Sequence, residues 1–370
     1  MFKIMFKVKS LKLLFGSVLL LCFFCCQPVQ AAPFQVGAAA AVLIDAASGE
    51  IIYEKAADQP LPPASCGKIL TALTVMDLVN MDEVCTVSER SAAVPEASFY
   101  LEEEEKLTVE ELLWGALVKS GNDACYALAE QVSGSEPLFV YLLNLKAAAV
   151  GAGSAELKNT NGLPAEGHQI TAYDLALCTR QALQDQLFRE IVKTKEITVA
   201  GRRLKNTNKL LWQDERIIGV KTGTTDKAGA CLVAAIEENG RRLIAVVFDS
   251  PSRYEECLKL LEYGLAQTDG ILLAARGSRL AALPLRGQKG LLPVTVSQDF
   301  YAVCQKGEKL RLKWSLPENI SAPVAQGEAV GRLELLTSDG QVVAACDLLA
   351  QKGVKKRGII SFFAEKITAE

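Results

Sequence analysis

Apolar and polar positions change rhythm along the chain. Residues 38–45 and 51–54 are short β-prone runs on either side of Ala47-Ser48-Gly49, a pattern that predicts two antiparallel strands joined by a tight turn. Apolar residues then recur at three- and four-residue intervals, predicting helices over 68–79, 109–118, 124–132, 138–150 and 172–183. In the second of these, Leu112, Leu113, Ala116 and Leu117 share one face. Strands return at 197–199, 231–236 and 242–248, followed by a helix from Arg253 to about Ala266. Strands from both ends of the segment, with helices between them, imply one sheet carrying an inserted helical subdomain.

After Gly270 the texture changes. Residues 292–296, 300–303, 310–314, 330–336 and 342–346 are short β-prone runs separated by Gly, Pro or Asp turns, which predicts a small all-β domain over 270–354. No titratable cluster stands out there, so a spacer or pedestal is the expected role. The tail, 355–370, opens on Lys355-Lys356-Arg357-Gly358 and continues through Ile359, Ile360, Phe362, Phe363 and Ile367. That is a short basic amphipathic stretch, either a membrane-surface contact or a terminus resting on the β-domain.

The other end reads as an address. Lys3, Lys7, Lys9 and Lys12 precede an apolar run from Leu13 to Cys26, and Val29-Gln30-Ala31 supplies the small residues of a cleavage site. Residues 1–31 are therefore expected to be a signal peptide, leaving a first domain over 32–269 in an exported protein. The apolar run is shorter than the roughly 20 residues of a spanning helix.

Composition narrows the classes further. The 370 residues carry 40 Lys+Arg against 43 Asp+Glu and are 50% hydrophobic, enough to bury cores for two domains. A net charge of −3, more acidic still once the leader is removed, leaves no electrostatic footprint for nucleic acid. Of 11 cysteines, Cys22, Cys25 and Cys26 belong to the leader. Cys66, Cys85, Cys125, Cys178, Cys231, Cys257, Cys304 and Cys346 are widely spread with no C-x-x-C among them, so neither a zinc knuckle nor a thioredoxin site is expected. Most sit in apolar runs, as small core residues do, and unpaired thiols in an exported chain suit a reducing habitat.

Three short segments can carry chemistry. In Ser65-Cys66-Gly67-Lys68, after Pro62-Pro63-Ala64, a Ser and a Lys three apart on a helix face each other, so a neutral amine can take the hydroxyl proton. That requires a lysine pKa lowered by burial or a neighbouring cation; an N-cap Ser with an exposed Lys is the plain alternative. Ser120-Gly121-Asn122 offers a hydroxyl for proton relay and a carboxamide for a substrate amide, or alternatively a helix cap. Lys221-Thr222-Gly223-Thr224 places a lysine and hydroxyls beside a glycine on a strand edge, suited to binding a carboxylate. His168 is the single histidine, too little material for a Ser-His-Asp triad or a histidine metal site; a loop hydrogen-bonding role is expected. Glu102 to Glu105 reads as a solvated acidic loop.

The order S-x-x-K, S-x-N, K-T-G resembles that of the penicillin-binding proteins and serine β-lactamases. Further matches at Ile44-Asp45, Asn161-Gly162-Leu163-Pro164, Thr171-Ala172-Tyr173-Asp174-Leu175 and Asn206-Thr207-Asn208-Lys209-Leu210 are similar to the low-molecular-mass D-alanyl-D-alanine carboxypeptidases. The resemblance implies an α/β (α+β) catalytic domain, an antiparallel sheet with an inserted helical subdomain, and a C-terminal all-β domain. It implies Ser65 as nucleophile, Lys68 as general base and Ser120 as proton relay. Asn122 would hold the substrate amide, while Lys221, Thr222, Gly223, Thr224 and Arg253 would meet the terminal carboxylate. Backbone N–H groups of Ser65 and Thr224 would form the oxyanion hole. The implied partners are peptidoglycan stem peptides and β-lactams that acylate Ser65, with no metal or organic cofactor. A β-lactamase would need a deacylating base, and although Glu166 lies in a loop the E-x-x-L-N pattern is absent there. A transpeptidase, or a non-catalytic penicillin sensor or cell-wall binder, remains open at this level.

Overall fold

The computed structural model describes residues 34–287 and 289–356. The leader expected over 1–31 and the tail from residue 357 onward lie outside these.

The chain begins with the predicted hairpin, β1 (Ala40–Asp45) and β2 (Ile51–Lys55). A 3-10 turn, Ala64–Gly67, runs into α1 (Lys68–Leu78). Next come β3 (Val84–Thr86), α2 (Glu89–Ala92), β4 (Lys106–Thr108) and α3 (Val109–Trp114), which continues as a π-helical stretch, Gly115–Lys119. Then follow α4 (Asn122–Ser133), α5 (Glu136–Ala149), α6 (Ala172–Ala182) and α7 (Gln186–Lys193). A small hairpin, β5 (Glu196–Val199) and β6 (Arg202–Lys205), precedes a 3-10 turn at Lys209–Trp212. Three long strands, β7 (Ile217–Thr225), β8 (Gly229–Glu238) and β9 (Arg241–Phe248), lead to α8 (Arg253–Gln267).

The first and last strands of this segment meet in one antiparallel sheet, β2-β1-β9-β8-β7. β1 is buried at all six positions, and because its side chains alternate between faces, both faces of the sheet are covered. α6 and α8 pack on it. α1 is buried from Lys68 to Val75, the mark of a helix surrounded by protein rather than lying on its surface. Local chemistry sets several helix starts: Thr108 and Glu111 exchange hydrogen bonds in a capping box, while Thr171 and Asp185 cap α6 and α7.

The C-terminal part holds seven strands: β10 (Thr268–Ala274), β11 (Arg279–Pro284), β12 (Leu291–Val296), β13 (Phe300–Gln305), β14 (Arg311–Ser315), β15 (Ala329–Leu336) and β16 (Val342–Ala350). β10 pairs with β13, and β11-β12-β16-β15-β14 form a second sheet. Leu292, Val294, Phe300, Leu333 and Leu348 share a core between them. This all-β unit is tied to the first sheet through Asp45, a fully buried carboxylate. Arg241 Nε donates to Asp45 Oδ2 at 2.9 Å and the Tyr301 hydroxyl donates to the same oxygen at 3.0 Å.

Three local expectations change. The predicted helix over 109–118 leaves α geometry at Gly115, where a Cβ would lie 2.5 Å from the Phe99 ring. Two turns of helix at α7 escape a periodicity argument because eight residues are too few to establish one. β10 follows α8 directly, with no Gly or Pro to announce it. Among the described residues no helix is long and apolar enough to cross a membrane.

Candidate active site

Ser65 does not open the α-helix as its spacing suggested. It sits in the 3-10 turn ahead of α1 and caps nothing with its side chain. Two close approaches hold that turn. At Gly162, φ is +88° and a Cβ would fall 1.9 Å from Ala64 O; at Gly223 a Cβ would fall 2.9 Å from Ser65 N and 3.0 Å from Cys66 N. Glycine at 223 was expected to admit a ligand. It first admits the backbone of Ser65 and Cys66 against β7.

Lys68, the first residue of α1, is 1% exposed. Its Nζ lies 2.8 Å from Ser65 Oγ, 2.8 Å from Asn122 Oδ1 and 2.5 Å from Asn161 O. An ammonium group has three hydrogens and would donate all of them here. A neutral amine has two, which the two carbonyl oxygens accept, and its lone pair then faces the Ser65 hydroxyl. Burial works toward that second state, holding the Lys68 pKa below the ordinary lysine value.

Ser120 follows the π-helical stretch with φ at +69°, in the left-handed region that a non-glycine residue occupies at a cost. Its Oγ accepts a hydrogen bond from Lys221 Nζ at 3.0 Å, and the same amine donates to Thr222 O at 3.0 Å. Lys221 is also 1% exposed; burial first, then the charge of Lys68, brings its pKa down to about 7. The loop that carries Ser120 is braced by Asp123. This buried carboxylate accepts hydrogen bonds from Phe99 N, Leu101 N and Ser98 Oγ.

Asn122 is engaged at both ends, with Oδ1 toward Lys68 and Nδ2 donating to Pro95 O at 2.8 Å. Its first task is therefore inside the protein. On β7, the edge strand, Thr222 Oγ1 lies 2.6 Å from Thr207 Oγ1. Arg253, at the start of α8, donates from Nη1 to Gly223 O and to Thr224 Oγ1, each at 2.7 Å. Every candidate residue thus reaches one region where the 3-10 turn, the Ser120 loop and β7 converge. Asn161 and Thr207 belong to it as well. Sequence reasoning quoted both in its motifs without assigning them a contact, and the signal that could have found Asn161 was the glycine after it.

His168 keeps the loop hydrogen-bonding role expected of it. His168 is buried; its Nδ1 accepts from Lys158 N at 3.0 Å, and burial with the nearby charges of Lys158 and Lys227 lowers its pKa to about 4. The acidic loop is not wholly solvated. Glu105 pairs with Arg202 at 2.7 Å, and the Arg202 guanidinium lies 5.0 Å from the centre of the Phe99 ring, so the loop is tied to the β5–β6 hairpin. Cys66, beside Ser65, is fully buried and burial pushes its thiol up to about 12.

Comparisons with known proteins all point to one family. The family profile described as D-alanyl-D-alanine carboxypeptidase matches residues 27–252. That of the penicillin-binding protein 5 C-terminal domain matches 271–356. The chain is 34% identical over 342 residues to D-alanyl-D-alanine carboxypeptidase DacF of Bacillus subtilis, covering 88% of each chain. It is 31% identical to DacD of Escherichia coli, covering 85% of this chain and 86% of that one. Among solved structures, penicillin-binding protein 5 from Haemophilus influenzae superposes with a TM-score of 0.81 at 28% identity, over 88% of this chain and 100% of that one. The Streptomyces K15 DD-transpeptidase superposes with a TM-score of 0.60 at 30% identity, over 63% of this chain and 99% of that one.

Proposed function

The chain belongs to the D-alanyl-D-alanine carboxypeptidase family, and we propose that it removes the terminal D-alanine of peptidoglycan stem peptides through an acyl-enzyme on Ser65. The observation that carries this reading is the Lys68 amine, with two carbonyl oxygens beside it and Ser65 Oγ as its third neighbour. In its neutral state Lys68 takes the Ser65 proton as Oγ attacks the carbonyl carbon between the two D-alanines. The amide C–N bond breaks as Ser120 gives its proton to the leaving amine and takes one from Lys221, which is hydrogen-bonded to it. Water then cleaves the ester; its proton resets Lys221 through Ser120, and the one on Lys68 goes back to Ser65.

Asn122 orients Lys68 and keeps a carbonyl lone pair for the substrate amide. Thr222, Thr224 and Arg253 take the terminal carboxylate on the β7 edge, where Lys221 adds positive potential whenever it is protonated and Gly223 allows the close approach. The backbone N–H groups of Ser65 and Thr224 receive the oxyanion, each worth about 3 kcal/mol in the transition state. β-Lactams, strained analogues of the same amide, acylate Ser65 and stall there.

The organisation that suits this chemistry is a leader over 1–31, a catalytic domain over 32–269, an all-β domain over 270–354 and an amphipathic tail from 355. The leader delivers the enzyme to the cell envelope, and the tail rests it on the outer face of the cytoplasmic membrane. Intact-protein mass spectrometry with benzylpenicillin, together with D-alanine release from diacetyl-Lys-D-Ala-D-Ala, tests the reading. A penicilloyl adduct and free D-alanine are expected, both lost in Ser65→Ala. An adduct without D-alanine turnover would reject hydrolysis in favour of a penicillin sensor or a transpeptidase; D-alanine release that returns with an added amine acceptor, together with the amide product, would identify the transpeptidase, as the similarity to a DD-transpeptidase allows.

A further inference from the structure

Beside the β7 edge lies a groove of about 620 Å³ whose walls include Lys205, Thr207, Lys209, Trp212, Arg253 and Tyr254. Two of these also belong to the catalytic edge: Thr207, in contact with Thr222, and Arg253, in contact with Thr224. The Tyr254 hydroxyl donates to Thr207 O at 3.0 Å, joining the two walls. Groove and edge are therefore continuous at the place given above to the terminal carboxylate. A leaving D-alanine brings only a methyl group there, far too little to fill a groove of this size.

The walls say what could fill it. They carry three cations and no acid. Lys205 Nζ lies 5.4 Å from the centre of the Trp212 ring, Lys209 Nζ 5.9 Å from that of Tyr254, and the Arg253 guanidinium 5.0 Å from Tyr254. Positive charge is thus held against flat apolar surfaces, so the groove offers an aliphatic chain a wall to lie on and an anion a counter-charge. Lys205 shares Glu196 with Arg203, at 3.5 Å from its carboxylate. Among the described residues, Lys209 and Arg253 have no carboxylate partner.

We propose that this groove is a leaving-side subsite for a D-amino acid whose side chain is longer than that of alanine and ends in a carboxylate. The enzyme then also hydrolyses D-alanyl–D-amino acid amides of that class. The proposal rests on the Ser65 reading above. The bonds made and broken are unchanged: the Ser65 ester forms, the amide C–N bond breaks, the amine leaves with its proton, and water restores the serine. The leaving amine alone differs.

The test compares diacetyl-Lys-D-Ala-D-Glu with diacetyl-Lys-D-Ala-D-Ala as substrates for the wild-type enzyme and for the double variant Lys205→Ala/Lys209→Ala. Both side chains are exposed and neither has a role in the acylation steps. The wild type is expected to cleave both peptides. In the double variant kcat/KM for the D-Glu peptide falls about fivefold while that for the D-Ala peptide stays within about twofold. Lys209→Glu is expected to favour diacetyl-Lys-D-Ala-D-Lys instead. Refusal of the D-Glu peptide by a wild type that still releases D-alanine would overturn the subsite, as would an equal loss on both peptides or no loss on either. Failure of the catalytic reading itself would show separately, as no D-alanine and no penicilloyl adduct.

Discussion

Lys68 and Lys221 are each almost fully buried, and a buried ammonium weakens the fold that holds it. For Lys221 the sign follows from its pKa, about 7 in the folded chain against the 10.5 of an ordinary lysine. Between those values the unfolded chain binds more protons than the folded one, so stability rises with pH across that window. The penalty is complete below about pH 7 and gone above about pH 10.5. Lys221→Met is therefore expected to raise Tm at pH 7 by several degrees relative to wild type, a gain that shrinks toward zero by pH 10. Thermal unfolding of both proteins at the two pH values checks it, and a gain independent of pH would show that the amine is not the cause. The same variant should lose penicillin acylation, since stability and activity compete for this position.

At the scale of elements, the site depends on how closely β7 lies against the 3-10 turn of Ser65. Gly223→Ala places a methyl 2.9 Å from Ser65 N and from Ala64 Cβ, so the strand and the turn must part by some tenths of an ångström. Overpacking of this kind costs about 1–3 kcal/mol of stability. Misplacement of reacting groups on the ångström scale costs about a hundredfold in rate. A shift of tenths of an ångström costs less than that, so the expected result is a folded protein whose acylation by benzylpenicillin, timed by intact mass, is slowed by about tenfold. The elements also show what the sequence could carry. Leu112, Leu113, Ala116 and Leu117 announced a helix face because one stripe of a helix is buried, and β8 and β9 announced themselves as unbroken apolar runs. The π-helical turn at Gly115 and the contact of Gly223 with Ser65 N depend on residues distant in the chain, Phe99 in one case and Ser65 in the other. Spacing along the chain placed the hydroxyl and the amine of Ser65 and Lys68 on one side. It was silent on Asn161, whose contribution is a backbone carbonyl that its own residue type does not mark, so that only Gly162 after it hints at the place.

At the scale of the molecule, one buried carboxylate joins the two architectures. Asp45 on β1 receives Arg241 from β9 and Tyr301 from β13, and Arg241 also donates to Thr268 O at the start of β10. Tyr301→Phe removes one hydrogen bond to a charged acceptor, worth about 1.5–3 kcal/mol, at a point far along the chain from Ser65. D-alanine release is expected to keep its wild-type kcat/KM while Tm falls and limited proteolysis speeds up in the β10–β11 connection. Loss of activity in step with the loss of stability would mean that the β-unit helps to shape the site. The described residues also keep their thiols out of reach. All eight of their cysteines are free and buried, and burial raises the pKa of each, from Cys66 beside Ser65 to Cys346 in the β-unit. A thiol-modifying reagent therefore reaches these eight thiols only when part of the structure opens. The chain carries its own set of internal clocks, in which the labelling rate of Cys66 times the exposure of the serine's turn and that of Cys346 times the opening of the C-terminal core.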